Sequence, residues 1–369
     1  MAWRRREGGA GRSLRSAANL DEMNTLWRGA LRAAATGFAA AAAGVFLIGP
    51  KSLFTGRAGR QERLSRLAPK FPLRDPKTLS PLAARLHGHV VMLAETIGER
   101  DIQKPAQQAR AGEYIMSQLA ASGYAPKKRP YRSAWLPSVK DGTEFCNIEA
   151  VLPAAPVGAG GAWIVGAHYD SASGTPGADD NASGVAVLLE TARLLKARHP
   201  AREVRFVAFG TEEPPAFGTS NMGSDHYARE LKESGAPVHG MIGLEMLGYY
   251  NPKRGAQFYA PFFHLLYPAR GDYLSLASNY ASRGLLASVR KAWRAASSFP
   301  LETVVLPGPL ASMALSDQLN FWDRGFAALM LCDTAFYRNP NYHEASDTPE
   351  TLDYEKMAEV TEALVSVLE

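Results

Sequence analysis

The chain has 369 residues, of which 46% are apolar and 21% charged, and its net charge is +5. These values are typical of a globular protein and exclude a largely disordered chain, a collagen and a polytopic membrane protein. Two cysteines are too few for a disulfide scaffold or a cysteine-built zinc site. Residues 1–75 carry +9 (14 Lys/Arg, 5 Asp/Glu), whereas residues 76–369 carry −4 (27 against 31). A nucleic-acid-binding domain carries basic charge on its folded surface, so we expect no nucleic-acid partner.

The N-terminal part contains one apolar run between basic residues. Residues 1–32 form a basic segment, and residues 33–50 form the uncharged run AAATGFAAAAAGVFLIGP. With about 17 apolar residues, the run is near the lower limit for a bilayer span. It is longer than a typical signal-peptide core, and no clear cleavage site follows it. We therefore predict an uncleaved single-span membrane anchor, with a cleaved signal peptide and an alanine-rich soluble helix as alternatives.

The start and the orientation of this segment stay open. The sequence from Met23 has the pattern of an export signal by itself, so the true start is either Met1 or Met23. Residues 51–66 carry five Lys/Arg and residues 18–32 carry two, which favours a cytoplasmic C-terminal side. Counting the whole segment 1–32, with seven Arg, reverses that preference.

Residues 51–75 are basic and contain prolines, which predicts a linker, and residues 76–369 predict one folded domain. This domain begins with two helical patterns, LAARLHGHVVMLAETIG and AQQARAGEYIMSQLAASG. Strands are predicted near residues 126–132, 144–152, 162–168, 203–209, 240–246, 301–306 and 327–332. Further helices are predicted near residues 183–198, 221–234, 283–297, 316–324 and 353–368. The alternation predicts a three-layer α/β/α sandwich around a mixed, mostly parallel sheet.

The first polar residues at a predicted strand end are His168 and Asp170. Two residues at this spacing on a strand share one face. An acid in this position can accept the second N–H of a metal-bound imidazole and orient the ring. The alternative interpretation is a hydrogen-bonded polar pair without a metal.

Two pairs of adjacent acids follow. Asp179 and Asp180 precede a helix, where acids also serve as N-caps. Glu212 and Glu213 come directly after the strand FVAFG, where adjacent buried carboxylates repel each other and are costly to desolvate. A cation relieves that cost, and one acid can then bind metal while its neighbour acts as a general base. Two solvated loop acids are the alternative.

Glu245 ends the apolar strand MIGLEM, and His343 follows Tyr342 in the loop after the strand AALMLCD. A charged residue in an apolar run needs a partner. Together the strand ends supply two nitrogen donors and three or four oxygen donors, which suits zinc. Five ligands with one bridging acid would hold two zinc ions, an arrangement that enzymes use for hydrolysis.

These residues resemble those of the secreted dizinc aminopeptidases, a family that includes glutamate carboxypeptidases and glutaminyl cyclases. The motifs that carry the resemblance are GAHYDS, GADDNASGVA, FVAFGTEEP, GLEMLGYY, SDQLNFWDRG and YHEASDTPETLD. The resemblance implies the zinc exopeptidase fold for residues 76–369. Because the family is largely exported, it also implies an extracytoplasmic catalytic domain, membrane-anchored or secreted.

The resemblance also implies roles for individual residues. His168 and Glu245 would hold one zinc ion, Glu213 and His343 the other, and Asp180 would bridge the two. The family also has a cis peptide after the bridging acid, here Asp180–Asn181. The other implied roles are catalytic or orienting: Glu212 as general base, Asp170 as the acid that orients His168, and Tyr342 as a contributor to the oxyanion site.

Two positions depart from the family pattern. Many relatives have Asp at the position of Glu245, a region that receives the substrate amine in aminopeptidases. Many have His at the position of Gln318, next to Asp317, which either braces the site or is simply a helix N-terminal acid. Glutaminyl cyclases use one zinc ion and lack the complete His-x-Asp element, so His168 and Asp170 favour hydrolysis with two ions.

Other residues are given non-catalytic interpretations. His87 and His89 do not share a helix face, so we predict a surface pair rather than a metal site. Cys146 and Cys332 are predicted to be buried free thiols, with a disulfide as the alternative. We expect a zinc exopeptidase acting on peptides, above all an aminopeptidase; a glutaminyl cyclase-like acyltransferase and a non-catalytic metal-binding relative are the alternatives. The sequence gives neither the side-chain preference nor the oligomeric state.

Overall fold

The computed structural model describes residues 57–70, 75–133, 139, 142–155, 160–259, 263–306 and 316–369. The predicted basic segment and the predicted anchor, residues 1–50, lie outside the described residues. Within the described residues, no helix combines the length and the apolar character that a membrane span requires.

Eight strands form one mixed sheet in the order β1-β2-β4-β3-β5-β8-β6-β7. Their bounds are β1 Lys127–Arg132, β2 Glu144–Leu152, β3 Ala162–His168, β4 Val204–Phe209, β5 Val238–Glu245, β6 Leu274–Asn279, β7 Leu301–Leu306 and β8 Ala328–Cys332. The central strands β4, β3, β5 and β8 are parallel, whereas β1, β2 and β6 introduce the antiparallel pairs. The predicted mixed, mostly parallel sheet is confirmed.

Helices cover both faces of this sheet. Their bounds are α1 Arg57–Leu67, α2 Pro81–Val91, α3 Pro105–Ala121, α4 Gly184–Leu195, α5 Gly223–Ser234, α6 Arg283–Ala296, α7 Gln318–Asp323 and α8 Tyr354–Leu368. Helices α2, α3, α4, α6 and α8 supply the larger apolar core on one face. Helices α5 and α7 pack on the opposite face, where Tyr227, Leu231 and Phe321 are buried. The three-layer α/β/α sandwich is therefore confirmed.

Short helical turns lie between the main elements. A π-helical turn, Met92–Ile97, extends α2, and another, Ala178–Ser183, leads into α4. The 3-10 helices are Pro76–Thr78, Ala335–Tyr337 and Pro349–Thr351. The described residues 263–266, which include the 3-10 helix Phe263–Leu265, belong to a separate unit.

The predicted linker 51–75 contains α1, which sequence patterning did not identify. This helix, RAGRQERLSRL, is strongly polar, and the first of its two leucines, Leu64, is almost completely buried. Asn251 donates a hydrogen bond from Nδ2 to the Leu67 carbonyl at 3.0 Å, and Gln61 donates one to the Pro340 carbonyl. The helix is thus held by tertiary contacts that no amphipathic pattern reveals.

Two further details differ from the sequence interpretation. Strand β6 was not predicted, because LSLASN mixes small polar and apolar residues without a clear period. The prediction that His89 is a surface residue is wrong. His89 is buried, with Nδ1 2.6 Å from the Tyr114 hydroxyl and Nε2 3.0 Å from Glu190 Oε1. Its partners come from α3 and α4, so a helix-face argument on α2 alone could not find them.

The close approach of Gly166 to Phe209 gives a test of the sheet packing. A Cβ atom at Gly166 would lie 2.4 Å from Phe209 Cε2, and Phe209 is fully buried. We expect Gly166→Ala to lower the free energy of unfolding by about 1–3 kcal/mol, since overpacking a filled core costs this much. Thermal denaturation measures the effect.

Gly88→Ala is the matched control, because a Cβ atom at Gly88 in α2 meets nothing within 4 Å. Alanine in a helix interior stabilises by about 0.5–1 kcal/mol relative to glycine. Equal melting temperatures for Gly166→Ala and the parent protein would contradict the packing between β3 and Phe209.

Candidate metal centre

The predicted site residues lie at one edge of the sheet. His168 and Glu245 are the last residues of β3 and β5, while Glu213 follows β4 and His343 lies in the loop after β8. Because β3, β4, β5 and β8 run parallel, their carboxyl ends meet at the same edge. In open α/β sheets this edge is where ligands bind.

Asp180 lies between the two histidines. Its Oδ1 atom is 3.3 Å from His168 Nε2, and its Oδ2 atom is 3.1 Å from His343 Nε2. Glu245 Oε2 is 3.3 Å from His168 Nε2, and Glu213 Oε2 is 3.2 Å from His343 Nε2. The structure thus forms two donor groups that share the two oxygens of one carboxylate.

The polypeptide around Asp180 is held from several sides. A cis peptide joins Asp180 to Asn181, as the family resemblance implies. The Asn181 amide donates to the Leu244 carbonyl at 2.8 Å, and its oxygen accepts the Met246 N–H at 3.0 Å. These bonds tie the Asp180 segment to the end of β5, where Glu245 lies.

Asp170 connects three parts of the site. Its carboxylate lies 3.2 Å from His168 Nδ1. The same carboxylate accepts the backbone N–H groups of Glu212 at 2.9 Å and Glu213 at 3.0 Å. One buried acid therefore contacts the imidazole and also fixes the backbone that carries the two glutamates.

Glu212 and Glu213 are buried carboxyl groups among other carboxyl groups. Burial and the nearby Asp180 together raise the pKa of Glu213 to about 7 against the opposing effect of His343. Burial also raises the pKa of Glu212 well above its usual value, although His168 opposes this shift. Glu212 Oε2 lies 4.0 Å from His168 Nε2, so the Glu212 side chain faces the same space as the metal-ligand candidates.

His343 and Tyr342 form the more open side of the site. The His343 side chain is 22% exposed, and the Tyr342 ring stacks on it with a centroid distance of 3.9 Å. Burial lowers the pKa of His343, but hydrogen bonds to Asp180 and Glu213 outweigh burial and raise it to about 10. The tyrosine ring also contacts Phe336 at 5.5 Å, which limits the orientations open to Tyr342.

The donor set fits a metal with nitrogen and carboxylate ligands. Groups of three donors whose ligand atoms lie within 4.8 Å of one another are His168/Asp180/Glu245, His168/Glu212/Glu213 and Asp180/Glu213/His343. His168 Nε2 and Glu213 Oε1 are buried and make no hydrogen bond to any described residue. Buried polar atoms normally have partners, so these two are the atoms that a cation would satisfy.

Sequence reasoning missed two residues that support this edge. Ser316 Oγ donates to Glu245 Oε2 at 2.6 Å. Arg100 is fully buried, and its guanidinium donates to the Tyr169 carbonyl at 2.8 Å and the Gly177 carbonyl at 3.0 Å. Arg100 lies outside the quoted motifs and carries no local signal, whereas Ser316 is the first residue of the quoted SDQLNFWDRG stretch but was given no role.

Asp317 and the cysteines have the following environments. Asp317 is buried, and burial raises its pKa to about 7. Asp317 directly precedes α7, as the helix N-terminal interpretation predicts, although its side chain makes no capping hydrogen bond to that helix. Cys146 and Cys332 are free thiols, as predicted, and Cys332 is buried whereas Cys146 is partly buried.

Comparison with known proteins agrees with this geometry. The model of the family described as peptidase family M28 matches residues 147–368. The chain is 37% identical over 302 residues to the uncharacterized protein YfbL of Escherichia coli strain K12, covering 79% of this chain and 89% of YfbL. A shorter match, 49% identical over 70 residues, is to aminopeptidase YwaD of Bacillus subtilis strain 168, covering 19% of this chain and 15% of YwaD.

Solved structures share the fold. The aminopeptidase from Aneurinibacillus sp. strain AM-1 has a TM-score of 0.59 at 17% identity, covering 79% of this chain and 94% of that one. The glutaminyl cyclase of Fimbriiglobus ruber has a TM-score of 0.58 at 21% identity, covering 79% of this chain and 96% of that one. The family match spans more than half of the chain and the YfbL match most of it, which confirms the family resemblance. The chain belongs to peptidase family M28 and is a metallopeptidase.

Proposed function

We propose that the chain is a zinc-dependent aminopeptidase that binds two zinc ions and uses Glu212 as its general base. The observation that carries the proposal is the position of Asp180. Its two oxygens lie 3.3 Å and 3.1 Å from the imidazole nitrogens of His168 and His343, which belong to different donor groups. A carboxylate shared in this way is the ligand that a two-metal site requires.

The two donor groups that share Asp180 would each hold one ion. His168 and Glu245 would hold the first, Glu213 and His343 the second, and Asp180 would contribute one oxygen to each. When bound, zinc polarises a carbonyl group and lowers the pKa of water, which is the chemistry that peptide hydrolysis needs.

Glu212 is proposed as the proton-transfer group. It lies beside Glu213 in the buried turn that Asp170 fixes through two backbone N–H groups. Burial raises the pKa of Glu212, and a raised pKa suits a carboxylate that takes a proton from water and returns it to the leaving amine near neutral pH. Asp170, which also contacts His168 Nδ1, is proposed to hold the base and the imidazole in fixed relative positions.

Tyr342 and Glu245 are proposed to act on the substrate side. The stacking of Tyr342 on His343 keeps its ring beside the second donor group, where a phenol can donate to the developing oxyanion. Glu245 takes the position where many relatives have Asp, and Ser316 holds its Oε2 atom. We propose that the part of the Glu245 negative charge that a bound metal ion would not neutralise attracts the free amine of the substrate.

The two-ion site predicts a zinc stoichiometry. The metal-free parent protein, titrated with zinc, is expected to bind two ions per chain and to gain thermal stability, because a ligand that binds only the folded state stabilises it. Asp180→Asn removes the shared carboxylate and is expected to abolish tight binding of at least one ion. Calorimetry with elemental analysis measures the stoichiometry.

Asp323→Asn is the control, since Asp323 is an exposed acid of α7 that lies outside the donor groups. It is expected to bind zinc as the parent protein does. A parent protein that binds no zinc would contradict the whole mechanism, and one that saturates with a single ion would contradict the two-ion site.

The general-base role predicts the products and the effect of one substitution. Paired peptides, free or blocked at the N-terminus, are incubated with the zinc-loaded protein, and products are followed by mass spectrometry. We expect loss of single N-terminal residues from the free peptides only. Glu212→Gln is expected to slow this reaction by about 10²–10⁴-fold while zinc binding persists, because general-base catalysis contributes about this factor.

Other products would indicate an activity different from the proposed one. Loss of ammonia from peptides that begin with Gln, without cleavage, would indicate a cyclase-type acyl transfer, which the complete pair His168–Asp170 disfavours. Cleavage at the opposite end would indicate a carboxypeptidase. Bound zinc without turnover of any peptide would favour a non-catalytic metal-binding relative.

We also propose that residues 33–50 anchor the protein in a membrane, with the catalytic domain extracytoplasmic. The support is the uncharged apolar run between basic residues. The full chain is expected to sediment with membranes and to resist alkaline extraction, whereas a variant without residues 1–50 is expected to stay in the soluble fraction. If N-terminal sequencing shows that the isolated protein begins after the apolar run, a cleaved signal peptide is indicated instead. If the catalytic domain is protected from protease added to intact cells, the extracytoplasmic location is contradicted.

A further inference from the structure

The loop that carries His343 is attached to the Asp180 segment at two points, one on each side of His343. On one side, Asn339 donates from Nδ2 to Asp179 Oδ2 at 2.7 Å. On the other side, the Asp347 carboxylate accepts the backbone N–H groups of Asp179 at 2.9 Å and Asp180 at 3.1 Å. Asn339 and Asp347 are each four residues from His343, so the attachments frame the histidine symmetrically along the chain.

These attachments are buried. Asn339, Asp347 and Asp179 are fully inaccessible to solvent. Hydrogen bonds to carboxylates are stronger than those between neutral groups, and a buried carboxylate that loses its donors pays the cost of desolvation. The loop is therefore held on the Asp180 segment by bonds that water cannot readily replace.

The backbone at His343 needs such support. Its φ of 57° lies in the left-handed region, which is unfavourable for residues other than glycine and is maintained only by surrounding structure. The described side-chain hydrogen bonds of Asn339 and Asp347 do not involve the imidazole, which lies against Asp180 and Glu213. The loop attachments thus act on His343 through its backbone.

Asp179 extends the attachment to a third part of the site. Its Oδ1 atom accepts the Gly248 N–H at 2.8 Å, while its Oδ2 atom accepts the Asn339 amide. Gly248 lies three residues beyond Glu245. The first acid of the Asp-Asp-Asn sequence therefore joins the loops of His343 and Glu245 instead of contributing to either donor group.

We propose that Asn339 and Asp347 are positioning residues that fix His343 against Asp180 and thereby set the affinity of the site formed by Glu213 and His343. The inference rests on the proposed two-zinc function, which it deepens by assigning separate structural supports to one of the two ions. It requires that weakening the attachments lowers the affinity for one ion more than for the other.

The variants are Asn339→Ala and Asp347→Asn. The control is Ser346→Ala, because Ser346 Oγ donates to Asn341 Oδ1 at 2.9 Å within the loop and makes no contact across to the Asp180 segment in the described hydrogen bonds. Zinc is titrated into each metal-free protein in competition with a chelator of known affinity. We expect one of the two zinc affinities, the same one in both variants, to fall about 10–100-fold, the range typical when a group that supports a metal ligand is removed. The other affinity is expected to stay as in the parent protein, and so are both affinities of the control.

A second measurement needs no metal. Amide hydrogen exchange of the metal-free proteins is followed in peptides that contain Asp179 and Asp180 and in peptides that span residues 339–347. In Asp347→Asn we expect exchange of the Asp179 and Asp180 amides to be roughly tenfold faster, because one of the two carboxylate oxygens that accept their N–H groups is replaced by an NH2 donor. Exchange in Ser346→Ala is expected to match the parent protein.

Parent-like zinc affinities together with parent-like exchange in both variants would overturn the proposal. So would an equal loss of both zinc affinities with faster exchange throughout the domain, because that pattern indicates a general loss of stability. If Asp347→Asn does not fold, Asn339→Ala carries the test, since it removes one donor to Asp179 and the acceptor of the Asn341 N–H within the loop but leaves no buried charge without its donors. If the parent protein binds no second zinc ion, the proposed function fails, and the exchange rates alone decide whether these residues hold the loop.

Discussion

The burial of several carboxylates at one sheet edge is the constraint on which the rest of this structure depends. Asp170, Asp180, Glu212, Glu213 and Glu245 are nearly inaccessible to solvent and lie around two imidazoles. Such charges are tolerated only where hydrogen bonds, cations or opposite charges compensate for lost hydration. Backbone N–H groups, an asparagine amide and a buried arginine provide this compensation. Two candidate metal-ligand atoms, His168 Nε2 and Glu213 Oε1, still have no hydrogen-bond partner among the described residues.

Arg100 shows how far this compensation extends. Its guanidinium is fully buried but donates to backbone carbonyls, including those of Tyr169 and Gly177, which lie in the segment between His168 and Asp180. Burial lowers its pKa to about 10, while the nearby carboxylates Asp170 and Asp347 oppose that shift. The arginine thus fixes the backbone behind the metal-ligand candidates and places one positive charge among their negative charges. Its position outside every motif explains why the sequence pattern did not reveal it.

Much of the fold followed from the sequence because the apolar patterns of its helices and strands were clear. The apolar runs that form β3, β4 and β5 are continuous, and those strands lie within two residues of their predicted bounds. The errors occurred where local pattern and tertiary environment diverge. Strand β6 has no clear alternation, α1 is almost entirely polar, and His89 is buried by Tyr114 and Glu190 from other helices.

The sequence by itself determined the candidate site residues and their order, because histidines and acids at successive strand ends form motifs that can be read along the chain. It also determined the layer architecture, since hydrophobic periodicity is local. The tertiary structure alone decided which oxygen of Asp180 faces which histidine, and how Asp170 reaches the backbone of Glu212 and Glu213. It also decided that Asp179 and Asp347 brace the His343 loop. These arrangements depend on distances between segments up to 168 residues apart, which no local pattern encodes.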